Sequence, residues 1–236
     1  MRLDHYDSSG GREAMLRLGP ATGPVAVVAL PLFEEANRTR AFAVTICRAL
    51  AKRGVASVLP DLPGQGESVV PLEETDLDQM RDAIMALTAE ISTADHAYAV
   101  GLRSGALLDP YGMFAGRWHL APVEGEAQLR DLLRTALAGG GLPAGSDIYA
   151  LTDSEEPLQI AGNRISSDMA VNLLGALLYD EPGIPRRVIR LDTDPRPADR
   201  HVPGTPLWRR AEPDNDPALA ALLAEDIAEW IAVCEG

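Results

Sequence analysis

Tyr98-Ala-Val-Gly-Leu-Arg-Ser-Gly-Ala-Leu-Leu108 reads as a short apolar strand that passes through a sharp turn into a helix. Gly101 and Gly105 have the spacing of the glycines in a G-x-S-x-G nucleophile elbow, where a strained residue between strand and helix holds its side chain above the sheet. Arg103 occupies the middle position, and Ser104 comes one residue late. A guanidinium stays protonated and cannot attack a carbonyl. The turn thus keeps the glycine pattern of an elbow without an attacking oxygen at its apex.

Upstream of the turn the chain alternates strand and helix. Val25-Ala-Val-Val-Ala-Leu30 is apolar on both faces, as a strand buried in a parallel sheet must be. A helix is expected from about Asn37 to Arg53, with Phe42, Ile46 and Leu50 on its inner face and Gly54 at its end. Val55-Ala-Ser-Val-Leu59 follows as a second buried strand, completing a right-handed βαβ unit. The loop Pro60–Ser68 then lies at a strand's carboxyl end, where open α/β sheets place ligands. Asp76 caps a helix with Leu77, Met80, Ile84, Leu87 and Ile91 on one side, leading into the elbow strand. Glu13–Leu18 is the expected edge strand.

Downstream, Asp109-Pro110 should kink or end the helix after the elbow. His119 begins a further short strand, and Leu129, Leu132, Leu133 and Leu137 predict a helix over Gly125–Ala138. A second helix is expected from Ser166 or Ser167, buried through Leu173, Leu174, Leu177 and Leu178. Residues 125–185 read as a small cap inserted over the sheet. Val188–Asp192 is a strand, a Pro-rich loop runs to Pro206, and Asp216-Pro217 opens a last helix with Leu219, Leu222, Leu223, Ile227, Trp230 and Ile231 on one face. The fold class is α/β, a mostly parallel sheet with helices on both faces, in one domain spanning 1–236.

With 236 residues, 46% of them hydrophobic, the chain can bury one large core. A net charge of -14 opposes a nucleic-acid backbone or an anionic membrane as partner. Cys47 and Cys234 have no metal-ligand or redox spacing, which suits reduced thiols in a cytoplasm. Met1–Ser9 lacks the apolar core of a secretory signal, and no apolar run is long enough to span a bilayer. There is no H-E-x-x-H, no C-x-x-C and no clustered histidine, so neither a metal nor another cofactor is expected.

Pro31-Leu-Phe-Glu-Glu-Ala-Asn-Arg-Thr-Arg40, Asp61-Leu-Pro-Gly-Gln-Gly-Glu-Ser68, Gly101-Leu-Arg-Ser-Gly-Ala-Leu-Leu108, Ala121-Pro-Val-Glu-Gly-Glu126 and Leu207-Trp-Arg-Arg-Ala-Glu-Pro213 together resemble the exosortase-associated hydrolase-like proteins of the α/β-hydrolase superfamily. The resemblance spans nearly the whole chain and is most specific in the Phe33–Arg40 loop. It implies an α/β-hydrolase fold, a bacterial cytoplasmic protein, and a setting near exopolysaccharide and protein-sorting genes. Fold does not carry activity, which must be argued from the site.

Acyl transfer on this fold needs a nucleophile at the elbow, an acid after a late strand and a histidine after the last strand. The elbow holds Arg103, Asp192 and Asp194 stand where the acid belongs, and no histidine occurs from Leu207-Trp208, where the base should appear, through Gly236. A residual esterase or thioesterase would have to use Ser104 with His201, in the loop before Pro206, and Asp192 or Asp194. The other reading of Ser104 is an N-cap of the following helix. Without hydrolysis, the site is expected to hold a small anionic or acyl ligand, or to serve a protein partner. Its walls would be Arg103, Ser104 and the loop Phe33, Glu34, Glu35, Asn37 and Arg38, with Trp208 where the base is missing. In the competing arrangement Glu34 or Glu35 folds over and pairs with Arg103, filling the site from within.

Overall fold

The computed structural model describes residues 1–91, 96–160 and 162–236. Ten strands and six helices follow in chain order: β1 Arg2–Ser8, β2 Gly11–Leu18, β3 Val25–Ala29, α1 Glu34–Lys52, β4 Ala56–Pro60, α2 Leu77–Ile91, β5 Ala97–Leu102, β6 Phe114–Leu120, α3 Gly125–Ala138, α4 Tyr149–Thr152, β7 Leu158–Ile160, β8 Asn163–Ile165, α5 Ser167–Gly175, β9 Arg186–Leu191, β10 Arg200–Val202 and α6 Pro217–Glu235. Eight strands form one sheet in the order β1-β2-β4-β3-β5-β6-β9-β10, while β7 and β8 pair separately. In the large sheet β2 runs antiparallel to both its neighbours and every other pairing is parallel. Because β4 and β5 flank β3, the chain reverses its direction of travel across the sheet there, and α1 and α2 fall on opposite faces.

This placement explains the uniformly apolar strands. Val25–Ala29 lies between β4 and β5 and is buried on both sides, so no polar alternation survives in it. On one face α1 and α6 cover Val28, Val100, Trp118 and Leu191; on the other α2 covers Val27 and Ala99. The last helix begins as the sequence predicts, with the Asp216 carboxylate accepting from the Leu219 N–H and Pro217 in the first turn.

Several elements differ from expectation. The expected edge strand, β2, has β1 outside it, because Arg2–Ser8 pairs along its length with Gly11–Arg17. Only Tyr6 of β1 is buried, its hydroxyl donating to the Asp61 carbonyl, so this strand is held by main-chain pairing and carries no hydrophobic period. His201 lies in β10, paired alongside β9, and not in a loop. His119 is the next-to-last residue of β6, which begins at Phe114, and so does not start a strand.

The segment between β6 and β9 packs on α2 and on Leu107 and Leu108 through Leu129, Leu132, Met169 and Leu173. Helix α3 has the expected bounds, and Gly125 at its start lies so close to α5 that a Cβ there would sit 1.9 Å from the Leu173 carbonyl oxygen. In α5 the Ser166 hydroxyl accepts from the Met169 N–H. That helix stops at Gly175, so Leu177, expected on its buried face, lies past the end and is exposed.

Candidate functional site

Three loops at the carboxyl ends of β3, β5 and β6 converge, and each contains one non-glycine residue with positive φ: Phe33 at 60°, Arg103 at 55° and Ala121 at 46°. Such backbone strain needs support from its surroundings. At Arg103 that support comes from the glycines. A Cβ on Gly101 would lie 2.7 Å from the Ala106 Cα, and one on Gly105 would lie 2.4 Å from the Ala29 carbonyl oxygen. The elbow is therefore pressed directly against β3. The chain leaves the apex through a single 3-10 turn, Arg103–Leu107, whose last carbonyl accepts from Arg81 Nε at 2.9 Å. Pro110 ends the segment as its missing N–H requires.

Arg103 occupies the apex and is 5% exposed. Its Nε lies 3.3 Å from Glu35 Oε2, its Nη2 3.5 Å from Glu35 Oε1, and its Nη1 donates to the Ala121 carbonyl at 3.3 Å. The guanidinium also stacks on Trp208, with Cζ 5.0 Å from the ring centroid. Burial raises the Glu35 carboxyl above the ordinary glutamate range, and the facing Arg103 charge opposes that rise. Of the two acids considered as partners, Glu35 makes the contact; one oxygen of the half-buried Glu34 is enclosed without a hydrogen-bond partner among the described residues.

Ser104 is fully buried, and its hydroxyl accepts from the Leu32 N–H at 3.0 Å. It does not cap the turn; the N-cap position is Leu102. In acyl transfer a backbone N–H of the loop after β3 helps stabilise the oxyanion. Here the Ser104 oxygen takes the Leu32 N–H instead. Of the remaining loop residues, Phe33 is buried in the core, Asn37 is exposed beside Arg40, and Arg38 donates to the Trp208 carbonyl at 3.0 Å. Arg38 thereby holds the turn that presents the tryptophan to Arg103.

No hydrogen bond among the described residues joins any of the four histidines to Arg103 or Ser104. His201 is exposed on β10, three strands from β5, which at sheet spacing is about 14 Å. Its Nε2 is 3.0 Å from the backbone oxygen of Asp194 and 3.1 Å from that of Arg196, so it touches the main chain of the candidate acid and not its carboxylate. The Asp194 carboxylate accepts from Arg190 at 3.0 Å and from Arg196 at 2.7 Å. Hydrogen bonds from Arg196 lead in holding its pKa well below the ordinary range. Asp192 is exposed, its N–H donating to the Val202 carbonyl. His96 pairs with Glu235, and His5 is exposed on β1. His119 is fully buried with Nε2 2.7 Å from Asp109, near Arg117, a group without a motif in the sequence because its members are ten and eight residues from Asp109 on a different element.

A cleft of about 430 Å³ opens beside the elbow. Arg103 and Trp208 form its inner wall. Val123 and Ala127 close one side, Leu191 and the Thr193–Arg196 loop the other, and Asp131 and Arg209 stand at it as well. Of the residues proposed from sequence to bind a ligand, Arg103 and Trp208 line this cleft; the buried Ser104 does not, nor do Phe33, Glu34, Glu35, Asn37 and Arg38, which form the N-cap and first turns of α1 and not a loop. Asp194, singled out from the sequence as a candidate acid, also lines the cleft, whereas nothing in the sequence pointed to Ala127, Asp131, Arg196 or Arg209. Among the described residues no helix is long and apolar enough to cross a membrane.

Neither protein-family models nor curated protein sequences match the chain. Solved structures do. Est1E from Butyrivibrio proteoclasticus, with ferulic acid bound, superposes with a TM-score of 0.64 at 14% identity over 97% of this chain and 98% of that one. A putative aryl esterase from Burkholderia cenocepacia gives 0.59 at 15% identity over 99% of both chains. The α/β hydrolase GrgF from Penicillium gives 0.55 at 15% identity over 80% of this chain and 79% of its own. With the strand order, the parallel pairings and the elbow at the end of β5, these likenesses show that the chain has the α/β-hydrolase fold.

Proposed function

We propose that this chain is a non-hydrolytic protein on an α/β-hydrolase fold, acting as a ligand-binding or protein-interaction accessory. From its resemblance to exosortase-associated hydrolase-like proteins, we place it in the cytoplasm, serving bacterial exopolysaccharide or protein-sorting systems.

One observation carries the reading: the positive-φ apex of the elbow presents a guanidinium held by Glu35, the Ala121 carbonyl and Trp208. Catalysis by acyl transfer requires an oxygen or sulfur nucleophile within hydrogen-bond reach of a base. Arg103 offers neither a lone pair nor a transferable proton at neutral pH. The alternative, a weak esterase or thioesterase through Ser104, would need that hydroxyl to leave the Leu32 N–H, turn outward from full burial and meet an imidazole.

A serine-reactive fluorophosphonate tests the proposal. Wild type and Ser104→Ala should label equally and at background. Labelling of wild type that disappears in Ser104→Ala would establish a working nucleophile and overturn the reading.

A further inference from the structure

The cleft beside the elbow is lined by more basic than acidic side chains, unlike the chain as a whole. Against a net charge of -14, its walls carry Arg103, Arg196 and Arg209 beside Asp131 and Asp194. The Asp194 carboxylate in the same wall is already engaged by both Arg190 and Arg196. Arg209 has no ion-pair or hydrogen-bond partner for its side chain among the described residues.

The donor arithmetic at Arg103 points the same way. A guanidinium has five N–H groups. Glu35 takes the Nε proton and one Nη2 proton, and the Ala121 carbonyl takes one Nη1 proton. One N–H is left on each Nη, on a side chain that is only 6% exposed and yet borders an open cleft. Two such donors suit the paired oxygens of a carboxylate. Trp208, Val123 and Leu191 supply apolar surface alongside, and the volume is within the range of about 300–1,000 Å³ usual for small-molecule sites.

We propose that the cleft binds a small monocarboxylate with an apolar or aromatic body. The carboxylate meets the spare Nη donors of Arg103 and the Arg209 head group, and the body packs on Trp208, Val123 and Leu191. Glu35 is a positioning residue: it occupies the far edge of the guanidinium and turns the spare donors outward. A monoanion is favoured over a dianion because Glu35, Asp131 and Asp194 all lie close by. The inference rests on the non-hydrolytic reading, since it makes an acid, and not an ester to be cleaved, the resident ligand.

Isothermal titration of the full chain with 3-phenylpropionate, its primary amide and its methyl ester tests the assignment. The acid should bind at least about tenfold more tightly than the amide, a difference of about 1.4 kcal/mol, and added salt should narrow that gap. Arg209→Gln should weaken the acid several-fold and leave the amide unchanged. Because Arg103→Met alone strands Glu35, the double variant Arg103→Met with Glu35→Leu is used at the apex, and it should abolish the preference for acid. Should it not fold, Arg209→Gln and the amide decide the matter. Amide binding as tight as the acid, an Arg209→Gln variant with unchanged acid affinity, or no heat from the acid up to about 10 mM would overturn the proposal. Release of acid and methanol from the ester would defeat the non-hydrolytic reading separately, leaving carboxylate recognition to stand or fall on the acid and amide titrations.

Discussion

Arg103 Nε faces Glu35 Oε2 at 3.3 Å, joining the apex of the elbow to the first turn of α1 across 68 residues of sequence. Both side chains are almost fully buried, so each depends on the other for compensation of its charge.

Removing one partner should therefore cost more than removing both. Glu35→Ala leaves a buried cation and is expected to lose about 3 kcal/mol. Arg103→Met combined with Glu35→Leu should recover most of that loss. Urea denaturation of the two single variants and the double variant checks this; equal stability of all three would mean that water already solvates the pair.

Placing a serine at the apex should not create an enzyme. Arg103→Ser supplies a hydroxyl at the position of positive φ, yet no imidazole lies beside it, since His201 is committed to the β9–β10 loop and His119 to Asp109. Hydrolysis of p-nitrophenyl acetate by this variant is expected to stay at the rate of the wild type.

Ser104 is expected to matter for stability. Its hydroxyl is the acceptor for the Leu32 N–H in a fully buried setting. Ser104→Ala leaves that donor unpaired and should cost about 2 kcal/mol. A change below a few tenths of a kcal/mol would show that another acceptor replaces it.

The glycines of the elbow can be separated from a neutral one. Gly105→Ala would bring its methyl group to 2.4 Å from the Ala29 oxygen and 2.6 Å from that of Leu30, both main chain, with a loss of about 3 kcal/mol. Gly175→Ala, at the end of α5 where an added Cβ would touch no other part of the fold within 4 Å, should be neutral or gain about 0.5 kcal/mol from helix propensity. Thermal unfolding of the two variants side by side measures the contrast.

Acid stability should depend on Asp226. Burial by itself pushes this carboxyl up, but hydrogen bonds from Arg187, Trp118 Nε1 and Arg200 outweigh it and hold the pKa down at about 2. A depressed carboxyl stabilises the fold above its unfolded value and loses that contribution as the pH falls. The contribution, about 2 kcal/mol, should thus be complete near neutrality and vanish between pH values of about 4 and 2. Asp226→Asn should flatten the stability profile across that window; an unchanged acid limb would assign it to other carboxylates.

The sequence by itself determined the alternation of the inner strands of the sheet with α1, α2, α3, α5 and α6, the position of the elbow, the caps of α5 and α6, and the lack of a histidine from Leu207 through Gly236. These are local properties, carried by apolar periodicity, by glycines that must admit another backbone, and by residue identity. It did not reveal β1 or β10, which are sheet-edge strands made by main-chain pairing and bury few side chains. Nor did it choose between Glu34 and Glu35, which sit about 100° apart around α1, so that the phase of the docked helix decides which one meets Arg103. The cleft, the exchange of the Leu32 N–H for a serine oxygen, and the Asp109–His119 pair likewise arise only when separate elements are packed together. Their energies come from contacts between residues distant in sequence, and no periodicity along the chain encodes such contacts.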